Sequence, residues 1–141
     1  MADQTEPSIR DVIAVAEFRS ALRHFLRRSE KIARQSGLTP QRYTLLMMIK
    51  GAPDGAEQST VTELANRLQL AQSTVTELVR RAESAGLIER EQSQRDARVA
   101  HLRLTSEGER RLMLSFTALE TERAQLREAF ANLDGGVSGS A

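Results

Sequence analysis

Apolar residues recur at three- and four-residue spacing from Ile9 to Arg34 (Ile9, Val12, Ile13, Ala16, Leu22, Phe25, Leu26, Ile32), the signature of one long amphipathic helix. Residues 1–7 before it are polar and expected to be disordered. Gly37 ends the helix, and Thr39-Pro40 reads as an N-cap followed by a proline in the first turn, where its missing N–H costs nothing. The helix opened there carries Tyr43, Leu45, Leu46, Met47 and Ile49 and stops at the turn-rich run Gly51 to Gly55, expected to be the loosest internal segment. Thr60 and Glu63 have the spacing of a capping box, in which each side chain reaches the other's backbone N–H. The short helix they start turns Leu64, Ala65 and Leu68 inward and ends near Gln69. Another helix begins at once, with Val75, Leu78, Val79 and Ala82 inward and Gly86 as its stop. Two helices so closely joined form a helix-turn-helix.

The period then changes to two. Leu87 to Gln92 and Arg98 to Leu104 are β-compatible runs, the second alternating Ala100, Leu102 and Leu104 with His101 and Arg103, and Ser93 to Ala97 is a polar connection between them. Thr105 or Ser106 opens a last helical stretch, where Ser106 and Glu109 match a second capping box. Leu112, Phe116, Leu119, Arg123, Leu126, Phe130 and Leu133 follow at spacing 4-3-4-3-4-3. That narrow seam is the pattern of helix pairing, interrupted by Arg123. The sequence leaves open whether this stretch is one helix or two. Residues 134–141 are rich in Gly and Ser and are expected to be a disordered tail. The expected fold class is mainly α with a small β-hairpin wing: a winged helix-turn-helix over 38–105, flanked by helical regions at 8–35 and 106–133.

Composition narrows the chemistry. The 141 residues include no Cys, so disulfides, thiolate metal sites and Cys nucleophiles are excluded. His24 and His101 stand alone, which points to no metal and no cofactor. No base and orienter accompany the Ser and Thr residues at meaningful spacing and no Gly-rich phosphate loop occurs, so no catalytic residues are assigned and an enzyme is not expected. No apolar run approaches the roughly 20 residues of a membrane span and no signal-peptide pattern is present, so a cytoplasmic protein without a membrane partner is expected. The net charge is only +1, but it is unevenly spread: eight basic residues face one acid from Arg19 to Lys50.

With Val75, Leu78, Val79 and Ala82 inward, the outward face of the second helix of the pair presents Gln72, Ser73, Thr76, Glu77, Arg80 and Arg81. Short polar side chains near a helix N-terminus can approach base edges or phosphates closely, and arginines one turn later reach phosphate or guanine. Arg95 and Arg98 on a narrow hairpin suit the negative potential of a minor groove. A helix-turn-helix with such a wing is a device for reading double-stranded DNA. The alternative is a winged-helix protein–protein adaptor without DNA binding, kept open by Glu77 and the balanced charge.

The stretches LTPQRYTLLMMI, VTELANRLQLAQSTVTELVRRAESAGLIER and QRDARVAHLRLTSEGERRL resemble the MarR-type winged-helix transcriptional regulators. Gly-Leu-Ile-Glu-Arg after the recognition helix, Asp96 with Arg98, and the Leu-Thr-x-x-Gly of Leu104 to Gly108 occur in the family's order. The resemblance implies a homodimer on a pseudo-palindromic operator, most often as a repressor, with the first and last helices as the dimerisation region; the seam and the first helix offer Ile9, Val12, Ile13, Leu112, Phe116, Leu119, Leu126 and Phe130 for it. It also implies that Ser73, Thr74 and Thr76 contact the major groove and that Arg98, oriented by Asp96, enters the minor groove. It further implies release by a small anionic or phenolic effector, for which Arg23 and Arg27 beside Tyr43 and Met47 are the candidates; Tyr43 and Met47 also suit a plain core. The stripe Arg19, Arg23, Arg27, Lys31 has two further readings, a solvated face or a partner for Glu120, Glu122 and Glu128 of the last helix in the dimer. Two departures from the family stand out: Ala71 replaces the usual polar cap of the recognition helix, and Glu77 occupies a position often basic.

Overall fold

The computed structural model describes residues 6–135. Within them the chain forms α1 (Ile9–Gln35), α2 (Pro40–Lys50), α3 (Val61–Leu68), α4 (Gln72–Ser84), β1 (Ile88–Gln92), β2 (Ala100–Leu104), α5 (Ser106–Ala118) and α6 (Glu120–Gly135). The expected tail at 134–141 and the N-terminal 1–7 lie largely outside the described residues; the last helix itself runs to Gly135.

Local signals set most of the boundaries. Ser8 caps α1 and shares a reciprocal box with Asp11. The Thr39 hydroxyl accepts from Arg42 N at 3.2 Å ahead of Pro40. Thr60 and Glu63 form the expected capping box on α3. Gly86 leaves α4 with φ of +76°, the left-handed region that glycine enters without strain. At α5 the expectation needs correction. Thr105 is the cap, its hydroxyl accepting from Gly108 N at 3.1 Å. Ser106 is already inside the helix, and the Glu109 carboxylate pairs with Lys50 instead of closing a box.

The core is centred on α2, whose Leu45, Leu46 and Ile49 are sealed against Leu64 of α3, Val75 and Val79 of α4, and Leu87 and Leu102 of the hairpin. Each such side chain contributes about 1.5–3 kcal/mol by leaving water. β1 and β2 pair antiparallel with Ile88 opposite Leu104. Ser59 adds a bridge to Leu102 through backbone bonds of 3.1 and 2.8 Å, and Lys50 holds Glu57 at 3.0 Å. Glu57 and Ser59, which follow the turn-rich run 51–55, are thereby tied to the end of α2 and to β2.

The last helical stretch is two helices, broken at Leu119. The seam accordingly does not lie on one face. Leu112 and Leu119, expected to dimerise, are 3% and 0% exposed inside the chain's own core, while Phe116 and Phe130 are 40% and 57% exposed. α6 packs along α1 of the same chain. Phe18 and Phe130 meet edge-to-face at 6.0 Å, and Arg28 pairs with Glu122 at 3.3 Å.

Candidate nucleic-acid interface

The buried stripe of α4 is Val75, Val79 and Ala82, with Leu78 half-buried, so the opposite face is set by helical geometry. Gln72, Ser73, Thr74, Thr76, Arg80 and Arg81 are exposed on it and Glu77 is half-exposed. Ala71 precedes the helix in extended conformation and offers no side-chain cap. The first-turn N–H groups of α4 are thus left for an outside acceptor, and they carry the positive end of a 13-residue helix dipole.

A cleft of about 460 Å³ joins this helix end to the wing, lined by Thr60, Val61, Thr62, Gln72, Arg90, Arg98, Val99 and Ala100. Gln72 Nε2 donates to Thr62 Oγ1 across it at 3.3 Å. Thr62 and Arg90 escaped the sequence reading. Thr62 is exposed on the first helix of the pair, away from its apolar positions, and Arg90 is placed by β1, which takes it beside Glu83 at 2.7 Å. Arg90 lies in the first β-compatible run, where four polar residues in a row follow Ile88 and nothing local singles it out.

At the wing, Ser93 Oγ accepts from Arg95 N and Asp96 N, and Asp96 Oδ1 accepts from Arg98 N at 3.0 Å and Arg98 Nε at 3.3 Å. The turn is folded by its own side chains. The Arg98 side chain is 92% exposed, so the aspartate orients the base of the guanidinium without covering it. Arg95 is also exposed at the tip.

On α4 the arginines are held differently. Glu77 accepts from Arg80 Nε at 3.0 Å, Arg80 Nη2 at 2.6 Å and Arg81 Nε at 3.0 Å. These bonds, first with Arg80 and then with Arg81, hold the Glu77 carboxyl below its ordinary value.

The residues expected to bind an effector are not gathered into one opening. Arg23 and Arg27 project from α1 into solvent, whereas Tyr43 is 5% exposed and Met47 packs against the core. Burial pushes the Tyr43 phenol up, opposed by a hydrogen bond with Ser29 and by the charge of Arg123. Among the described residues Arg19, Arg23, Arg27 and Lys31 have no ion-pair partner, and it is Arg28, outside that stripe, that meets Glu122. No group of three metal-binding side chains and no helix long and apolar enough to cross a membrane occurs among the described residues.

The sequence profile of the MarR family matches residues 36–99, the span from the end of α1 to the wing. Among solved structures, a MarR mutant from E. coli complexed with operator DNA has a TM-score of 0.67 and 18% identity, over 85% of this chain and 87% of that one. An S. aureus MepR mutant bound to an oligodeoxyribonucleotide gives 0.65 and 22%, over 88% and 95%. YusO from Bacillus subtilis gives 0.65 and 21%, over 100% and 99%. A search of curated protein sequences gives no match. At these identities the structural likeness establishes the fold, a winged helix with flanking helices.

Proposed function

We propose that this chain, whose residues 36–99 match the sequence profile of the MarR family, is a homodimeric transcriptional regulator, a repressor in its basal state, that reads a pseudo-palindromic operator. The observation that carries this reading is the continuity of the uncapped α4 N-terminus, the Thr60–Thr62–Gln72–Arg90–Arg98 cleft and the exposed wing arginine. That surface offers backbone N–H groups, short hydroxyls and guanidinium groups along one line, the donor set that phosphates and base edges accept. In this arrangement Ser73, Thr74 and Thr76 enter the major groove and Arg98 the adjacent minor groove, with Arg95 at the phosphates.

Dimerisation is supported by an apolar surface at one end of the molecule. Ile9, Val12, Ile13 and Val15 of α1 are 72%, 55%, 54% and 48% exposed, and Phe130 of the adjoining α6 adds to them. A monomer in water has no use for so many uncovered side chains at one end. The partner of this surface is a second copy, so that the two recognition helices meet successive major grooves about 10–10.5 bp apart.

Release by a small anionic or phenolic effector through Arg23, Arg27, Tyr43 and Met47 requires α1 and α2 to part, because Tyr43 is closed off in the core. The molecule is read as a binding protein, not an enzyme, acting in the cytoplasm where its operator lies. The test is selection of bound duplexes from a random pool, followed by sedimentation of the free and bound protein. The expected result is a palindromic motif bound by two chains. A folded protein that enriches no sequence refutes the regulator reading and favours the adaptor.

A further inference from the structure

The pattern Glu-x-x-Arg-Arg occurs twice, at Glu77-Arg80-Arg81 and at Glu107-Arg110-Arg111, and folds the same way both times. In α5, Glu107 accepts from Arg110 Nε and Nη2 at 3.0 and 2.6 Å and from Arg111 Nε at 2.8 Å. There the arrangement serves the fold, since Arg111 Nη1 goes on to the Gly37 carbonyl at 3.2 Å. In α4 the same clamp sits on the face offered to DNA, and neither arginine has a further protein acceptor among the described residues.

Resting on the regulator reading above, we propose that Glu77 is a specificity-determining positioning residue: by holding Arg80 and Arg81 on one carboxylate, it lowers affinity for DNA of arbitrary sequence more than affinity for the operator. The chemistry follows from the donors. A guanidinium has five N–H donors, arranged so that a two-pronged acceptor can be met from its Nε side or from its far end. Glu77 occupies the Nε side of Arg80 and the Nε of Arg81, which leaves far-end N–H groups of both to face outward. Arg80 and Arg81 are thereby aimed, and their joint charge is reduced from +2 to +1 by the carboxylate.

Phosphates attract arginines by charge at any sequence, so a neutralised pair gains less from random DNA. At an operator, an arginine already aimed at a fixed acceptor loses less conformational freedom on binding. The clamp opposes loose phosphate contacts without forbidding them, because the side chains are 65%, 63% and 42% exposed and the pairs can open. Arg98, held only through its Nε by a separate aspartate, is not subject to it.

Glu77→Gln keeps the shape of the side chain and removes its charge. With full-length protein, binding to the selected duplex and to a scrambled duplex of equal length is followed from 50 to 300 mM salt. The expected result is roughly a three- to tenfold gain on scrambled DNA at low salt and a slope of log affinity against log salt steeper by about 1 to 2 per recognition helix. Operator affinity should change less, so the ratio of operator to scrambled affinity falls. Adding Arg80→Ala to Glu77→Gln should return the scrambled affinity toward the parent value. An unchanged slope and ratio overturn the clamp. Loss of operator binding with scrambled binding unchanged also overturns it and makes Glu77 a direct base reader. If the parent protein selects no sequence, the regulator reading fails first, a result distinct from either.

Discussion

Replacing Gly108 by alanine places the new Cβ 2.1 Å from the Leu87 carbonyl oxygen and 3.0 Å from its carbonyl carbon. Helix propensity alone favours alanine by at most about 1 kcal/mol, the value for a helix interior, at this first-turn position of α5. The obstacle is backbone, however, and cannot rotate away. Restoring ordinary contact requires the first turn of α5 and the chain at Leu87 to separate by about 1 Å, an overpacking that costs about 1–3 kcal/mol. The same separation stretches two bonds that join these segments, Thr105 N to Leu87 O at 3.0 Å and Thr105 Oγ1 to Gly86 O at 2.6 Å. Each contributes about 1 kcal/mol. Set against the gain in propensity, the net destabilisation comes to about 2–4 kcal/mol. At this chain length each kcal/mol moves the midpoint by about 3–4 °C, so the melting temperature should fall by about 6–16 °C. The assay is a thermal melt followed by circular dichroism at one fixed protein concentration, since association itself shifts the midpoint. Gly55→Ala is the reference: its φ is +75° but nothing lies within 4 Å, so only backbone strain of about 1–2 kcal/mol applies. A Gly108→Ala midpoint at or above that of the parent protein refutes the close approach as the reason for glycine at this position.

Arg98→Ala should weaken operator binding and flatten its salt dependence by about 1 per wing, measured by salt titration; an unchanged slope removes Arg98 from the phosphates and groove. Val12→Asp combined with Ile13→Asp places two charges on a surface already more than half exposed. The fold should survive, but sedimentation at micromolar concentration should show a monomer, and a persistent dimer would move the interface elsewhere. Glu107→Gln tests the second clamp. Hydrogen bonds from Arg110 and then Arg111 pull the Glu107 carboxyl to about 2 from an ordinary 4.5. A carboxyl depressed by folding adds stability that is complete above about pH 4.5 and is lost as the pH falls toward 2. The difference in thermal midpoint between parent and Glu107→Gln should therefore be present at pH 6 and shrink steadily below pH 4.5; a difference independent of pH would refute the pairing.

What the sequence made legible were features whose causes lie within four residues. Thr39 before Pro40, the Thr60–Glu63 box and Gly86 each act on neighbouring backbone, so spacing alone identifies them. The outward face of α4 was legible for the same reason, since burial of Val75, Val79 and Ala82 fixes what stands opposite. The features that stayed hidden depend on distant partners. Nothing near Glu109 reveals that Lys50 will take its carboxylate, and nothing near Ser59 reveals its backbone pairing with Leu102. Arg90 became part of the cleft only because the hairpin turns it toward α4, where Glu83 receives it.

The seam shows how a regular pattern can arise from two different causes. Leu112 and Leu119 fall on the heptad positions because they enter the core of the chain, whereas Phe116 and Phe130 fall on them while remaining outside it. The break at Leu119 ends α5 and leaves last-turn carbonyls there to be met from outside the helix. Arg123 meets that need: its guanidinium donates to the Phe116 carbonyl and lies 3.7 Å over the Phe116 ring. A cation among apolar seam positions was therefore not a flaw in a pairing surface but the mark of the helix end that it caps, with the hydrogen bond and the ring face both favouring positive charge there. Once the seam is divided in this way, Leu112 and Leu119 belong to the chain's own core, whereas Phe130, like Ile9, Val12 and Ile13 of α1, stays on the surface.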